Sequence, residues 1–163
     1  VEGGQGGVHC RRFPLMLKTK ANREGTPPEA FDDIRKMTAE DRSGAFLDIT
    51  TPFFGWNREG AKVNEGIKLD FWRLGMMGSN RGDYDFVHEF FDVDYTEDLK
   101  TIGKPTLVMH GDDDQIVPIA AAGEKTAKIV AGAELKVCTG APHGLYQTIA
   151  DRIDADRLAV IET

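Results

Sequence analysis

The chain has 163 residues, the length of one domain. Asp and Glu outnumber Lys and Arg by 27 to 20, and a net charge of −7 argues against nucleic acid or an anionic membrane surface as partner. Hydrophobic residues make up 40% of the chain, too many for disorder, while no apolar run approaches the ~20 residues of a membrane helix. Cys10 and Cys138 are far apart and not in a metal spacing, and the first residues show no apolar secretory segment. Free thiols in a reducing cytoplasm are the expected state.

In chain order, residues 1–13 (VEGGQGGVHCRRF) hold four of the 18 glycines and no regular period. They read as an aberrant or flexible segment. Shifting their permitted codons by one base allows S-K-A-V-K-A-V-F-I-V-G-V-S-P, a β-branched run with the character of a buried parallel strand. A frame error over a core strand is therefore expected there. Residues 14–26 are the end of that strand (PLMLK) and a polar loop.

Pro27 and Pro28 open a helix, with Phe31, Ile34 and Met37 on one face. Residues 39–49 continue as a second helical stretch, and TTPFFGWN at 50–57 is an aromatic loop. Ile67, Phe71 and Leu74 predict a helix over 64–77, broken by 78–82 and followed by a short helix over 83–91. Arg81-Gly82-Asp83 reads as a plain turn, as does 96–99 with Thr96 at a capping position. These segments form a helical cap over 27–100.

Over 101–163 the pattern becomes strand–helix–strand–helix: strands at 105–110 (PTLVMH) and 134–138 (ELKVC), helices at 119–130 and 151–161. The last helix should turn Ile153, Leu158 and Ile161 inward. The fold class is α/β with a parallel sheet.

Two loops carry candidate chemistry, and both follow strands, where open α/β sheets place ligands. One is His110-Gly111-Asp112-Asp113-Asp114-Gln115-Ile116-Val117-Pro118; the other is Thr139-Gly140-Ala141-Pro142-His143-Gly144. An acid in one and a His in the next have the form of a carboxylate that orients an imidazole general base. Asp112-Asp113-Asp114 does not follow a calcium-loop spacing, because Ile116 and Val117 intrude. His110 ends a strand and is read as structural.

H-G-D-D-D-Q-I-V-P, G-A-E-L-K-V and G-A-P-H-G closely resemble the cofactor-free haloperoxidase/aryl-esterase family of the α/β-hydrolase fold. So do P-L-M-L-K-T, F-F-G-W-N-R-E-G-A-K, F-W-R-L-G-M-M and the stretch Asp94-Tyr95-Thr96-Glu97-Asp98-Leu99. The resemblance runs over residues 14–161. It implies Asp114 as triad acid and His143 as base, with Ile116 and Val117 lining the acyl pocket. It sets Phe53, Trp72 and Met76 on cap segments over the site. It also implies serine ester chemistry without cofactor or metal, on a small ester or a carboxylic acid with hydrogen peroxide, and a possible homo-oligomer.

One departure is plain. The fold uses a G-x-S-x-G elbow, and the chain has two serines, Ser43 in DRSGA and Ser79 in GSNRG. The chain thus reads as the C-terminal portion of such an enzyme. It supplies acid and His, lacks the nucleophile and oxyanion hole, and should be inactive alone. The alternatives are part of another α/β hydrolase (a dehalogenase or epoxide hydrolase) and a non-catalytic binding module.

Overall fold

A computed structural model describes residues 14–20 and 22–161, with side chains described as far as Leu158. The expected strand over 1–13 lies outside the described residues, as does the side chain of Ile161. Among the described residues no helix is long and apolar enough to cross a membrane.

The first described segment is pinned by one buried amide. Asn22 donates from Nδ2 to the carbonyls of Leu15 (2.6 Å) and Leu17 (3.1 Å), while Met16 and Thr26 pair backbone to backbone. The side chain thereby satisfies loop carbonyls that burial would otherwise leave unpaired.

The cap follows. Helix α1 (Pro28–Asp48) starts on a proline and is kinked at Asp41, whose φ of −148° is non-helical. The Asp41 carboxylate accepts the Gly44 N–H at 2.9 Å, restarting the helix as an N-cap does. The two expected helical stretches are thus one element with an internal cap. Phe31 is buried on it and Ile34 is partly buried, but Met37 is half exposed. A one-turn helix α2 (Thr50–Phe53) leads into the aromatic loop.

Helix α3 (Glu65–Met76) is capped by Asn64, and α4 (Asn80–Phe91) by Ser79, which accepts the Gly82 N–H at 2.9 Å. That cap overrides the helix-breaking tendency of Gly82, so α4 begins three residues earlier than the sequence pattern predicts. Arg81-Gly82-Asp83 is its first turn rather than a loop turn, and Asp83 pairs with Arg42 of α1 at 2.5 Å. Helix α1 packs on both α3 and α4. Residues 96–99, expected as a turn, belong to a short helix α5 (Thr96–Lys100).

The α/β unit has strand β1 (Leu107–Gly111), helix α6 (Gly123–Ile129) and strand β2 (Glu134–Cys138). The two strands pair in parallel, Leu107 opposite Glu134 and Gly111 opposite Cys138. Parallel pairing requires a crossover, which α6 supplies. Helix α6 is shorter than the predicted 119–130, because non-helical backbone at Ala122 interrupts the turns that precede it.

Helices α7 (Leu145–Thr148) and α8 (Ala150–Ile161) close the chain. Ile153 is buried, whereas Leu158 is 57% exposed and does not turn inward as expected. Leu158 is five positions beyond Ile153, which places it about 140° around the helix from the buried residue.

Two apolar clusters hold the elements. Met16, Phe31, Val87, Val117 and Ala122 join cap to core, and Phe31 stacks on Phe91 at 4.5 Å. Cys138, Ala141, Leu145 and Ile153 sit under the second strand. Burial pushes the Cys138 thiol pKa up, which keeps it in its unreactive form.

Candidate active site

Parallel pairing brings the ends of β1 and β2 side by side, so the loops that follow them meet. Gly111 is where they touch: a Cβ there would collide with the Ala141 carbonyl, so only glycine lets the backbones approach this closely. The loops are then stitched by Asp113 N–H to Ala141 O (3.2 Å) and Gly140 N–H to Asp112 Oδ1 (2.6 Å).

The acid triplet divides three ways. Asp112 accepts from the second loop, Asp113 pairs with Arg58, and Asp114 turns inward. Asp114 is 3% exposed and fully engaged. Its Oδ1 accepts the backbone N–H of Ile116 (2.9 Å) and of Val117 (2.8 Å). Its Oδ2 lies 2.8 Å from His143 Nδ1 and 3.1 Å from His110 Nε2. Burial opposes the charge, but the hydrogen bonds from the two histidines and from Val117 outweigh it and hold the carboxyl well below the usual carboxylate range. Asp114 is therefore an ionised acceptor at neutral pH.

His143 presents Nδ1 to that carboxylate, and Nε2 lies on the opposite side of the ring. The carboxylate can only accept, so Nδ1 carries the proton and Nε2 keeps its lone pair. The Phe53 ring meets the imidazole edge-on with centroids 4.6 Å apart, and the Phe53 carbonyl accepts the Gly144 N–H at 2.7 Å. Phe53 thus fixes the His loop from the cap side.

Ile116 and Val117 hold Asp114 through their backbone, while the Val117 side chain is fully buried in the cap–core cluster, with Ile116 packed against it. Trp72 is partly buried on α3 and donates from its indole to Ser43 Oγ at 3.1 Å. Met76 is partly buried in the last turn of the same helix. The described hydrogen bonds and ring contacts bring Phe53 to the acid–His pair and link Trp72 to α1 instead.

Several residues at the site have no signal in the sequence pattern. Phe71, predicted only as a helix-face residue, stands 4.9 Å from Phe53, ring centroid to ring centroid. Arg58 grips Asp113 with two hydrogen bonds (2.7 and 2.5 Å), and Asn57 exchanges amide hydrogen bonds with Gln115 (2.8 and 3.0 Å). The Arg58 guanidinium holds the Asp113 carboxyl below the usual range. His110 was legible only as the end of a strand, although its i, i+4 spacing to Asp114 is visible in the sequence.

No family model matches the chain. Among curated proteins, a non-haem chloroperoxidase of Burkholderia pyrrocinia is 49% identical over 150 residues, which is 91% of this chain and 54% of the relative. The bifunctional esterase/perhydrolase DCH of Acinetobacter calcoaceticus is 44% identical over 151 residues, 92% of this chain and 55% of the relative. Among solved structures, a bromoperoxidase from Bacillus anthracis superposes with a TM-score of 0.86 at 26% identity, covering 92% of this chain and 55% of that one.

The chain has part of an α/β-hydrolase fold and is similar to non-haem haloperoxidases.

It spans about half the length of the curated relatives it matches. In this α/β-hydrolase fold the loop that carries Asp114 precedes the loop that carries His143.

Proposed function

We propose that the polypeptide carrying this chain is a serine-type carboxylic ester hydrolase with perhydrolase activity, in which Asp114 is the acid and His143 the general base. The observation that carries the reading is the 2.8 Å contact between His143 Nδ1 and a buried Asp114 carboxylate, on loops at adjacent parallel-strand ends. The names of the relatives, chloroperoxidase and esterase/perhydrolase, support the reaction class.

Asp114 fixes the tautomer and orientation of His143, and Nε2 takes the proton of the attacking hydroxyl. Protonated His143 then returns the proton to the leaving alcohol as the acyl-enzyme forms. Water attacks that ester to release a carboxylic acid; hydrogen peroxide attacks it to release a peracid, which oxidises halide. The substrate is a small ester, or a carboxylic acid with hydrogen peroxide. Ile116, Val117, Phe53, Trp72 and Met76 are proposed to line or cover the acyl site.

The two serines of the chain are engaged elsewhere. Ser43 Oγ accepts from the Trp72 indole, and Ser79 Oγ caps α4. The nucleophile and the oxyanion-hole donors are proposed to come from the part of the fold outside these 163 residues. The chain by itself should therefore not turn over esters.

The test is hydrolysis of 4-nitrophenyl acetate, and peracid formation from acetate and hydrogen peroxide, by the whole polypeptide. Asp114→Asn and His143→Ala should each lower kcat by about 10³–10⁴-fold while the protein stays folded. Wild-type turnover in either folded variant overturns the assignment.

A further inference from the structure

The Asp114 carboxylate carries a second imidazole that the acid–base pair does not need. His110 Nε2 lies 2.9 Å from the Val117 carbonyl oxygen and 3.1 Å from Asp114 Oδ2. A carbonyl accepts only, so Nε2 must carry the proton and share it between carbonyl and carboxylate. The other nitrogen, Nδ1, faces Gly123, where a Cβ would lie 2.8 Å from it. The ring is thus seated against bare backbone at the start of α6, with 11% of the side chain exposed.

This completes the coordination of Asp114. Oδ1 receives two backbone N–H groups, and Oδ2 has the His143 and His110 ring nitrogens at 2.8 and 3.1 Å, so both oxygens are approached from two sides. With only the two backbone donors and His143, Oδ2 would be held from one side. The His110 N–H approaches the same oxygen from the strand side, through a ring that α6 keeps from moving.

We propose that His110 is a positioning residue. Its Nε2–H, braced by the Val117 carbonyl and by the Gly123 seat, holds Oδ2 of Asp114 where it receives the proton-bearing Nδ1 of His143. The neutral ring suffices, because the function is that of a fixed donor. The consequence for acyl transfer rests on the function proposed above; the tautomer consequence does not. Losing the donor frees the carboxylate to tilt, and His143 then divides between its two tautomers, only one of which leaves Nε2 able to take a proton.

The test is nitrogen-15 NMR of the histidine rings in the whole polypeptide at neutral pH, alongside ester hydrolysis. The wild-type protein should show His110 protonated on Nε2 and His143 on Nδ1. His110→Leu removes the donor. His143 should then lose its single tautomer, and kcat should fall roughly ten- to a hundredfold with KM little changed. His110→Gln, whose amide reaches where Nε2 does, should restore both. A merely structural role would leave the His143 tautomer unchanged in every folded variant, and that result overturns the proposal. So does a wild-type His110 protonated on Nδ1, which decides the matter even if His110→Leu does not fold. Loss of the single His143 tautomer in His110→Leu, together with a wild type that hydrolyses no ester, would sink the esterase reading and leave the His110 assignment standing.

Discussion

Asp114 shows how a single residue stores pH dependence. Its carboxyl is buried, yet its hydrogen bonds hold its pKa below the ordinary 3.8. A carboxyl depressed in the folded state stabilises the fold at and above its unfolded pKa, and that contribution is lost as pH falls through the folded value. Urea unfolding should therefore show stability falling steadily below about pH 4, with a shallower acid limb in Asp114→Asn. An unchanged acid limb in that variant would mean other carboxylates carry the effect. His143 gains its orientation from the same contact, so the residue that stabilises the loop also orients that imidazole.

At the scale of elements, the site is a junction between one turn of cap and two strand-end loops. Phe53, Phe54 and Phe71 form an aromatic floor, and the His loop rests on it because Gly144 has no side chain; a Cβ there would run into the Phe54 ring. Gly55, at φ 68°, turns the cap chain against Pro142, and Asn57 and Arg58 then grip the acid loop. Gly144→Ala should cost about 1–3 kcal/mol by overpacking and displace His143 from Phe53. Gly103→Ala, where a Cβ meets nothing within 4 Å, should be close to neutral. Equal stabilities by urea denaturation would show that the aromatic floor yields. The exposed Arg58–Asp113 pair is worth little for stability, since solvent screens it; its effect is to fix where the acid loop sits.

The whole molecule is unevenly held together. Among the described residues the sheet has two strands, and a two-stranded sheet is marginal without further cover. Leu69, Leu74, Met77 and Phe86 of the cap are each more than half exposed. The 163-residue chain expressed alone should bind a hydrophobic dye, self-associate and melt at low temperature with poor cooperativity. A monomer with a sharp melt at high temperature would overturn that expectation, which light scattering and thermal denaturation can check together.

What the sequence by itself determined was local or motif-like. Apolar spacing set the helices of the cap, and the short stretches PTLVMH and ELKVC marked the two parallel strands. The H-G-D-D-D-Q-I-V-P and G-A-P-H-G loops were enough to nominate Asp114 and His143 and to indicate the family. Spacing failed wherever a side chain acted on distant backbone or a cap overrode a propensity. Ser79 carried α4 through Gly82, Asp41 restarted α1 after its kink, and Leu158 fell outside the buried stripe. Only the tertiary structure decided what closes around the acid. Arg58 meets Asp113 across 55 residues and Asn57 meets Gln115 across 58, while His110 turns from a strand end onto the carboxylate of its own loop. The reason is physical: periodicity encodes which face of an element is buried, whereas the partners of a buried charge are set by how loops from separate elements come together in space.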